Sequence, residues 1–137
     1  EKQFRSYVDK ALTTSSPTQK LWVLLESRLD NVLFRSGLAK TRSAARQLAS
    51  HGHATVNDRR VDVPSVQLKA NDVVAIRKGS VESPVFAEAG ERMKTQTAPT
   101  WLEVNPESLS AKVTGEPVLE GAQNVFDLSV VLEFYNR

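Results

Sequence analysis

Residues 21–63 read LWVLLESRLDNVLFRSGLAKTRSAARQLASHGHATVNDRRVDV, and this stretch decides the fold. Leu21, Leu25, Leu29, Val32 and Leu33 recur at helical spacing, so one apolar stripe predicts a helix over residues 21–35. Gly37 follows the last turn, where a left-handed residue costs glycine least, and is the expected C-cap. Thr41 is placed to open a second helix, its hydroxyl accepting from a backbone N–H that would otherwise be unpaired. Ala44, Ala45 and Leu48 make that helix's buried side. At about 100° per residue, Arg42 and Arg46 fall side by side on another arc, beside Ser43, Gln47 and Ser50. Gly52 ends the helix. Ala54 and Val56, then Val61 and Val63, alternate with polar residues across Asn57-Asp58, which predicts two strands and a tight hairpin turn.

Outward from this block the elements are shorter. Beyond Pro64-Ser65, Val66 and Leu68 alternate with Gln67 and Lys69 and read as strand. Ala70-Asn71-Asp72 reads as a turn, and Val73 to Arg77 as another strand. A small antiparallel sheet against two helices is an α+β arrangement. Ser83-Pro84 starts a helix, and Val85, Phe86, Ala89 and Met93 carry it to about Thr95, although Gly90 weakens it. Leu102 with Val104, and Ala111 with Val113, predict two short strands around Asn105-Pro106-Glu107. Residues 125–135 fit either period: Phe126, Leu128, Val130, Leu132 and Phe134 alternate, while Val125, Leu128, Leu132 and Tyr135 follow a helix. The helical spacing is taken to predict a short helix. At the other end, Phe4, Val8 and Leu12 predict a helix over 1–12, with Lys2 and Arg5 off its stripe, and TTSSPTQK (13–20) reads as loop or linker. The segments are then 1–20, 21–80 and 81–137. Trp22, Trp101, Phe126, Phe134 and Tyr135 sit in apolar patterns and are expected as core anchors.

Charge is unevenly spread. The formal net charge is only +2, but residues 35–60 carry Arg35, Lys40, Arg42, Arg46, Arg59 and Arg60 against Asp58 alone, a local net of +5. Residues 81–137 carry four cations against nine acids, a local net of −5. A basic face on a helix and a hairpin edge is the footprint of a polyanion binder; the bland alternative is a solvated helix face. Arg42 and Arg46 lead the candidates, because a guanidinium fork matches phosphate oxygens and one helical turn lets both address one backbone stretch. Thr41 and the first N–H groups of its helix add a phosphate site at the positive dipole end. One of Arg59 and Arg60 should share the helix's side.

Other chemistry finds little support. A chain of 137 residues can bury one core, or one with a smaller satellite. The absence of cysteine excludes disulfides and thiolate metal sites. No apolar run is long enough to span a bilayer and no signal-peptide pattern occurs. His51 and His53 lack a third ligand nearby, so no metal is expected. Glu26 and Asp30 lie one helical turn apart without an activated partner, and read as structural carboxylates that orient Arg28 or a neighbouring arginine. No phosphate-cradling glycine loop or nucleophile elbow occurs, and no catalytic residue is assigned.

The run LLESRLDNVLFRSGLAKTRSAARQLASHGHATVN resembles the RNA-binding domain of the bacterial small-subunit ribosomal protein family S-four. The family's first helix matches at Leu25, Glu26, Arg28, Leu29 and Asp30. Its second helix and exit match at Thr41, Arg42, Ala45, Arg46, Gln47, Leu48, Ser50, His51, Gly52, His53, Val56 and Asn57. Related modules in pseudouridine synthases, a tyrosyl-tRNA synthetase tail and a heat-shock protein share the outline but usually lack LESRLDN and the SHGH run. The resemblance implies the alpha-L motif, a helical remnant of a second domain at the N-terminus, and a C-terminal segment packing back on that remnant. It implies a non-enzymatic constituent of the cytoplasmic ribosome that binds small-subunit rRNA at a multi-helix junction, nucleates assembly and contributes to translational accuracy. Expected rRNA contacts are Lys2, Arg5, Arg35, Lys40, Thr41, Arg42, Arg46, Gln47, His51, Gly52, Asn57, Arg59 and Arg60. Expected partners are the rRNA, the neighbouring S-five family protein and mRNA where it enters the subunit. Gly115 to Glu120 replace an arginine-containing loop of the family, at the side expected to meet S-five. Asn71 stands where the family has the second residue of Pro-Gly, and asparagine tolerates that turn geometry. The chain opens on Glu1, as expected of a fragment or processed product, without the basic N-terminal arm of family members. The competing reading is a stand-alone RNA-binding module outside the ribosome, a rescue factor or an mRNA-binding repressor.

Overall fold

The computed structural model describes residues 2–118 and 122–135. The chain packs as two compact units, Glu1–Glu26 with Pro117–Arg137, and Ser27–Glu116. These divide it at other points than 1–20, 21–80 and 81–137, because residues 21–26 pack with the N-terminal helix and the strands of 102–113 join the central sheet.

The first unit is helical: α1 (Lys2–Leu12), α2 (Pro17–Glu26) and, from the far end of the chain, α6 (Ala122–Tyr135). Tyr7, Val8, Ala11, Leu21, Leu24 and Leu132 form its core, with Phe4, Leu12, Leu25, Leu128 and Tyr135 at the margin. The expected loop over 13–20 is shorter than read. The hydroxyls of Thr13 and Thr14 donate to the carbonyls of Lys10 and Ala11, closing α1, and α2 starts at Pro17. Proline there lacks only an N–H that the first turn leaves unpaired anyway. The C-terminal segment is a helix, and it packs back on α1 and α2. Two expected core anchors are not buried: Phe126 is 63% and Phe134 67% exposed. With Val130 they recur every fourth residue and share one face, while Leu128, Leu132 and Tyr135 occupy the opposite, packed face. Trp22 is half-buried and its indole N–H donates to the Val118 carbonyl at 3.0 Å. The side chains of Val85 and Val125 lie outside the described residues, as do Leu119 and Glu120 of the altered loop.

The second unit carries α3 (Leu29–Arg35), α4 (Arg42–Ser50), β1 (Ala54–Val56), β2 (Arg59–Val61), β3 (Val73–Ile76), α5 (Ala89–Thr95), β4 (Leu102–Asn105) and β5 (Ser110–Val113). The helix expected over 21–35 is therefore interrupted. Arg28 is extended, with φ −67° and ψ 144°. The backbone around it bonds instead to the loop after β2: Leu68 N–H donates to Ser27, Leu29 N–H to Val66 and Asp30 N–H to Pro64, at 2.8–3.1 Å. Asp30 takes the Arg28 guanidinium in a fork, at 3.1 and 3.0 Å. The same bonding corrects the expected strand at 66–69, which makes only a single bridge, Gln67 to Arg28.

The five strands form one antiparallel sheet in the order β2-β1-β3-β5-β4, so the two short strands expected at 102–104 and 111–113 extend the sheet as β4 and β5. Asn57 and Asp58 both have positive φ, 52° and 67°, the requirement of a tight hairpin turn between strands of natural twist. Asn71, at φ 77°, sustains the turn before β3. The predicted helix over 84–95 divides into a 3-10 turn at Pro84–Phe86 and α5. Ser83 makes no side-chain cap to hold a single longer helix. Phe86, Ala89 and Met93 are buried, as the stripe required, in a core with Leu29, Val32, Leu33, Leu38, Ala45, Leu48 and the inner faces of the strands. Trp101 is buried there too.

Candidate nucleic-acid interface

The site is built on the α3–α4 turn, the outer face of α4 and the hairpin. Gly37 follows α3 with φ +87°, and its N–H donates to Phe34. Thr41 opens α4 as expected: φ is −136°, ψ is 165°, and its hydroxyl oxygen accepts from Ala44 N–H at 3.0 Å. A hydroxyl that accepts one bond still has its proton to donate. Ala45, Leu48 and Ala49 face the core, leaving Arg42, Ser43, Arg46, Gln47 and Ser50 exposed.

The two lead arginines differ. Arg42 Nη1 donates to Asn31 Oδ1 at 2.6 Å, and the guanidinium carbon sits 4.8 Å from the centre of the Phe34 ring. Arg35 lies over the same ring at 5.8 Å, so α3 and α4 place two cations about one phenyl group. Arg46 is exposed on α4, and Lys40 is exposed in the turn before Thr41.

At the helix exit, Gly52 has φ +74°, and Arg60 Nε donates to its carbonyl at 3.0 Å. Glycine suits that φ, and a Cβ on Gly52 would stand 2.6 Å from Arg60 Nε, so any side chain there would have to push the guanidinium off the helix exit. Arg60 is thus the hairpin cation that shares the helix's side. Arg59, its neighbour on an edge strand, is exposed on the alternate face. His51 is exposed beside this exit, while His53 is half-buried, with Nδ1 2.7 Å from Ser80 Oγ and its ring 6.0 Å from Phe86. Asn57 is exposed, but its carboxamide is engaged in the fold: Oδ1 accepts from Val73 N–H at 2.9 Å and Nδ2 donates to Asp72 at 3.0 Å.

Arg35, Lys40, Thr41, Arg42, Arg46, Gln47, His51, Gly52, Asn57, Arg59 and Arg60 thus belong to one unit, Ser27–Glu116. Lys2 and Arg5 belong to the other; there Arg5 pairs with Asp9 at 3.8 Å and lies 5.2 Å from the Tyr135 ring centre.

A family model described as the S4 domain matches residues 27–74, a segment that starts where the second unit starts. Small ribosomal subunit protein uS4A of Alkaliphilus metalliredigens is 44% identical over 138 residues, covering 100% of this chain and 66% of that protein. Small ribosomal subunit protein uS4 of Persephonella marina is 42% identical, covering 99% of this chain and 67% of its own length. The uS4 of Corynebacterium kroppenstedtii is 43% identical, covering 100% of this chain and 69% of that protein. The chain belongs to the uS4 family of small ribosomal subunit proteins. It spans about two thirds of the length of the curated uS4 relatives it matches.

Within the uS4 frame, the matched S4-domain segment holds every candidate except Lys2 and Arg5, and it ends inside β3. Sequence reasoning missed the residues that support the site from outside that segment. Arg92 Nε donates to the Gly37 carbonyl at 2.8 Å and Nη2 to the Leu38 carbonyl at 3.1 Å. Gln96 Nε2 donates to the carbonyls of Phe34 and Arg35, at 3.3 and 3.1 Å. Neither residue carries a local signal, since their partners lie more than fifty positions away. Asn31, which holds Arg42, was also missed; its only sequence mark is one turn of helix separating it from Arg35.

Proposed function

We propose that this chain is a non-enzymatic, rRNA-binding constituent of the small ribosomal subunit. It grips a multi-helix junction of small-subunit rRNA through Lys40, Thr41, Arg42, Arg46 and Gln47 on the turn and α4, with Arg35 and Arg60 at the flanks and His51, Gly52, Asn57 and Arg59 at the helix exit. Lys2 and Arg5 add backbone contacts from the helical unit. The observation that carries this reading is the preformed cationic face: Arg42 is held to Asn31 and Phe34, and Arg60 to Gly52, before any ligand arrives. Cations fixed in place lose less conformational freedom on binding than free ones, so more of the phosphate attraction is realised as affinity. The relatives' names support the ribosomal context, and structured RNA is read mostly by shape and backbone, which suits a rigid positive surface.

By the same reading the chain acts in the cytoplasm on the ribosome, helps nucleate subunit assembly and contributes to translational accuracy. Its acidic residues 81–137 face a protein neighbour of the S-five family rather than RNA, and mRNA passes close by. Among the described residues no helix is long and apolar enough to cross a membrane. The test is a titration against the small-subunit rRNA junction and a scrambled RNA of equal length, at several salt concentrations. The expected result is strong preference for the junction with a steep salt dependence. Equal, weak binding to both RNAs would overturn the junction assignment.

A further inference from the structure

We propose that Arg92 and Gln96, which lie beyond the matched S4-domain segment, are positioning residues for RNA binding: they clamp the α3–α4 turn in the conformation that presents Lys40, Thr41 and Arg42. The proposal rests on the rRNA-binding reading above and deepens it.

A helix end leaves its last carbonyls without intrahelical partners. In this chain, carbonyls of that end and of the turn behind it receive side-chain donors from one short element. Gln96 takes Phe34 and Arg35, and Arg92 takes Gly37 and Leu38, with donor–acceptor distances of 2.8–3.3 Å. Between them Met93 is buried against the same turn: a Cβ on Gly37 would stand 3.2 Å from Met93 Cα. The turn is therefore backed by packing and roofed by donors, and it leads within three residues to Thr41. A guanidinium fork spanning two successive carbonyls fixes their relative orientation in a way that a single ammonium does not. The bonds are charge-assisted and partly buried, which strengthens them. Arg92 directs these donors at backbone carbonyls, so it acts on RNA through Lys40, Thr41 and Arg42. This gives the segment 89–96 a role in RNA binding although its surroundings are acidic.

The test uses the full chain with Arg92→Met, Arg92→Lys and Gln96→Met. Each is titrated with the small-subunit rRNA junction fragment at several salt concentrations, at a temperature where circular dichroism shows the variant fully folded. Arg92→Met is expected to weaken binding by about tenfold, the equivalent of one charge-assisted hydrogen bond. Arg92→Lys is expected not to restore affinity, and Gln96→Met, more exposed, to weaken it by about threefold. The slope of log K against log salt stays at the wild-type value, because every phosphate-binding cation is still in place. Backbone amide shifts should concentrate at residues 34–42. A slope reduced by about 0.7–0.9 would make Arg92 itself a phosphate ligand and overturn the proposal. Recovery by Arg92→Lys would overturn it by reducing the effect to charge. Unchanged affinity with a lowered melting temperature would overturn it by leaving only a stabilising role. A wild-type chain that shows no preference for the junction would remove the underlying reading, and the proposal with it.

Discussion

Arg42 and Arg46 look equivalent on a helical wheel, and the structure separates them by a measurable amount. Arg42→Ala removes a 2.6 Å charge-assisted bond to Asn31, which is 4% exposed, and a guanidinium seated 4.8 Å from the Phe34 ring centre. A hydrogen bond to a charged group contributes about 1.5 kcal/mol. The cation–π interaction adds about 0.5 kcal/mol at a site this exposed. Allowing for solvent screening, Arg42→Ala should cost about 1–2 kcal/mol, or about 4 °C or more in melting temperature. Arg46 is exposed on the next turn, and Arg46→Ala should change stability by less than about 0.5 kcal/mol. In RNA titrations both variants should lower the salt slope, by about 0.7–0.9 for each phosphate left without its cation. Thermal unfolding by circular dichroism and a salt-dependent binding series check the two halves separately. Equal melting temperatures for the two variants would refute the anchoring argument. An unchanged slope for Arg46→Ala would refute its assignment as a phosphate ligand.

Two further outcomes follow from the backbone. Gly52→Ala places a methyl group 2.6 Å from Arg60 Nε on a residue at φ +74°, so urea unfolding should show a loss of about 1–3 kcal/mol. Part of that loss should return in the Gly52→Ala, Arg60→Ala double variant, where the clash is gone; full additivity of the two changes would mean that they do not touch. Asp58 stands at φ 67° in the hairpin turn, and Asp58→Gly should stabilise the chain by about 0.5 kcal/mol with RNA affinity unchanged. A destabilised Asp58→Gly would mean that the aspartate side chain holds the turn.

The acidic residues 81–137 show that charge read along a sequence is a poor guide to which residues serve a site. Two members of that stretch, Arg92 and Gln96, reach back to the carbonyls of the cationic turn. Conversely, Phe126 and Phe134 are apolar and exposed on the last helix, because that helix has two apolar faces and packs only one. Apolar pattern signals that a face can be buried; which face is buried depends on the neighbour.

The sequence by itself determined what is local. The Thr41 cap, the left-handed Gly37, the positive-φ turn at Asn57-Asp58 and the inward Ala45 and Leu48 each follow from residues within a few positions of one another. The α+β class and the basic face of α4 follow from the same short-range patterns. Tertiary structure alone decided where the first long helix breaks, since residues 27–30 exchange helical bonds for bonds to residues 64–68. It also decided that 66–69 is a bridge and not a strand, and that Arg42 and Arg60 are held while Arg46 stands exposed. Helix periodicity, caps and turns are short-range interactions of the backbone with its own neighbours. The break, the bridge and the held cations depend on partners distant in sequence, and only the folded chain brings those together.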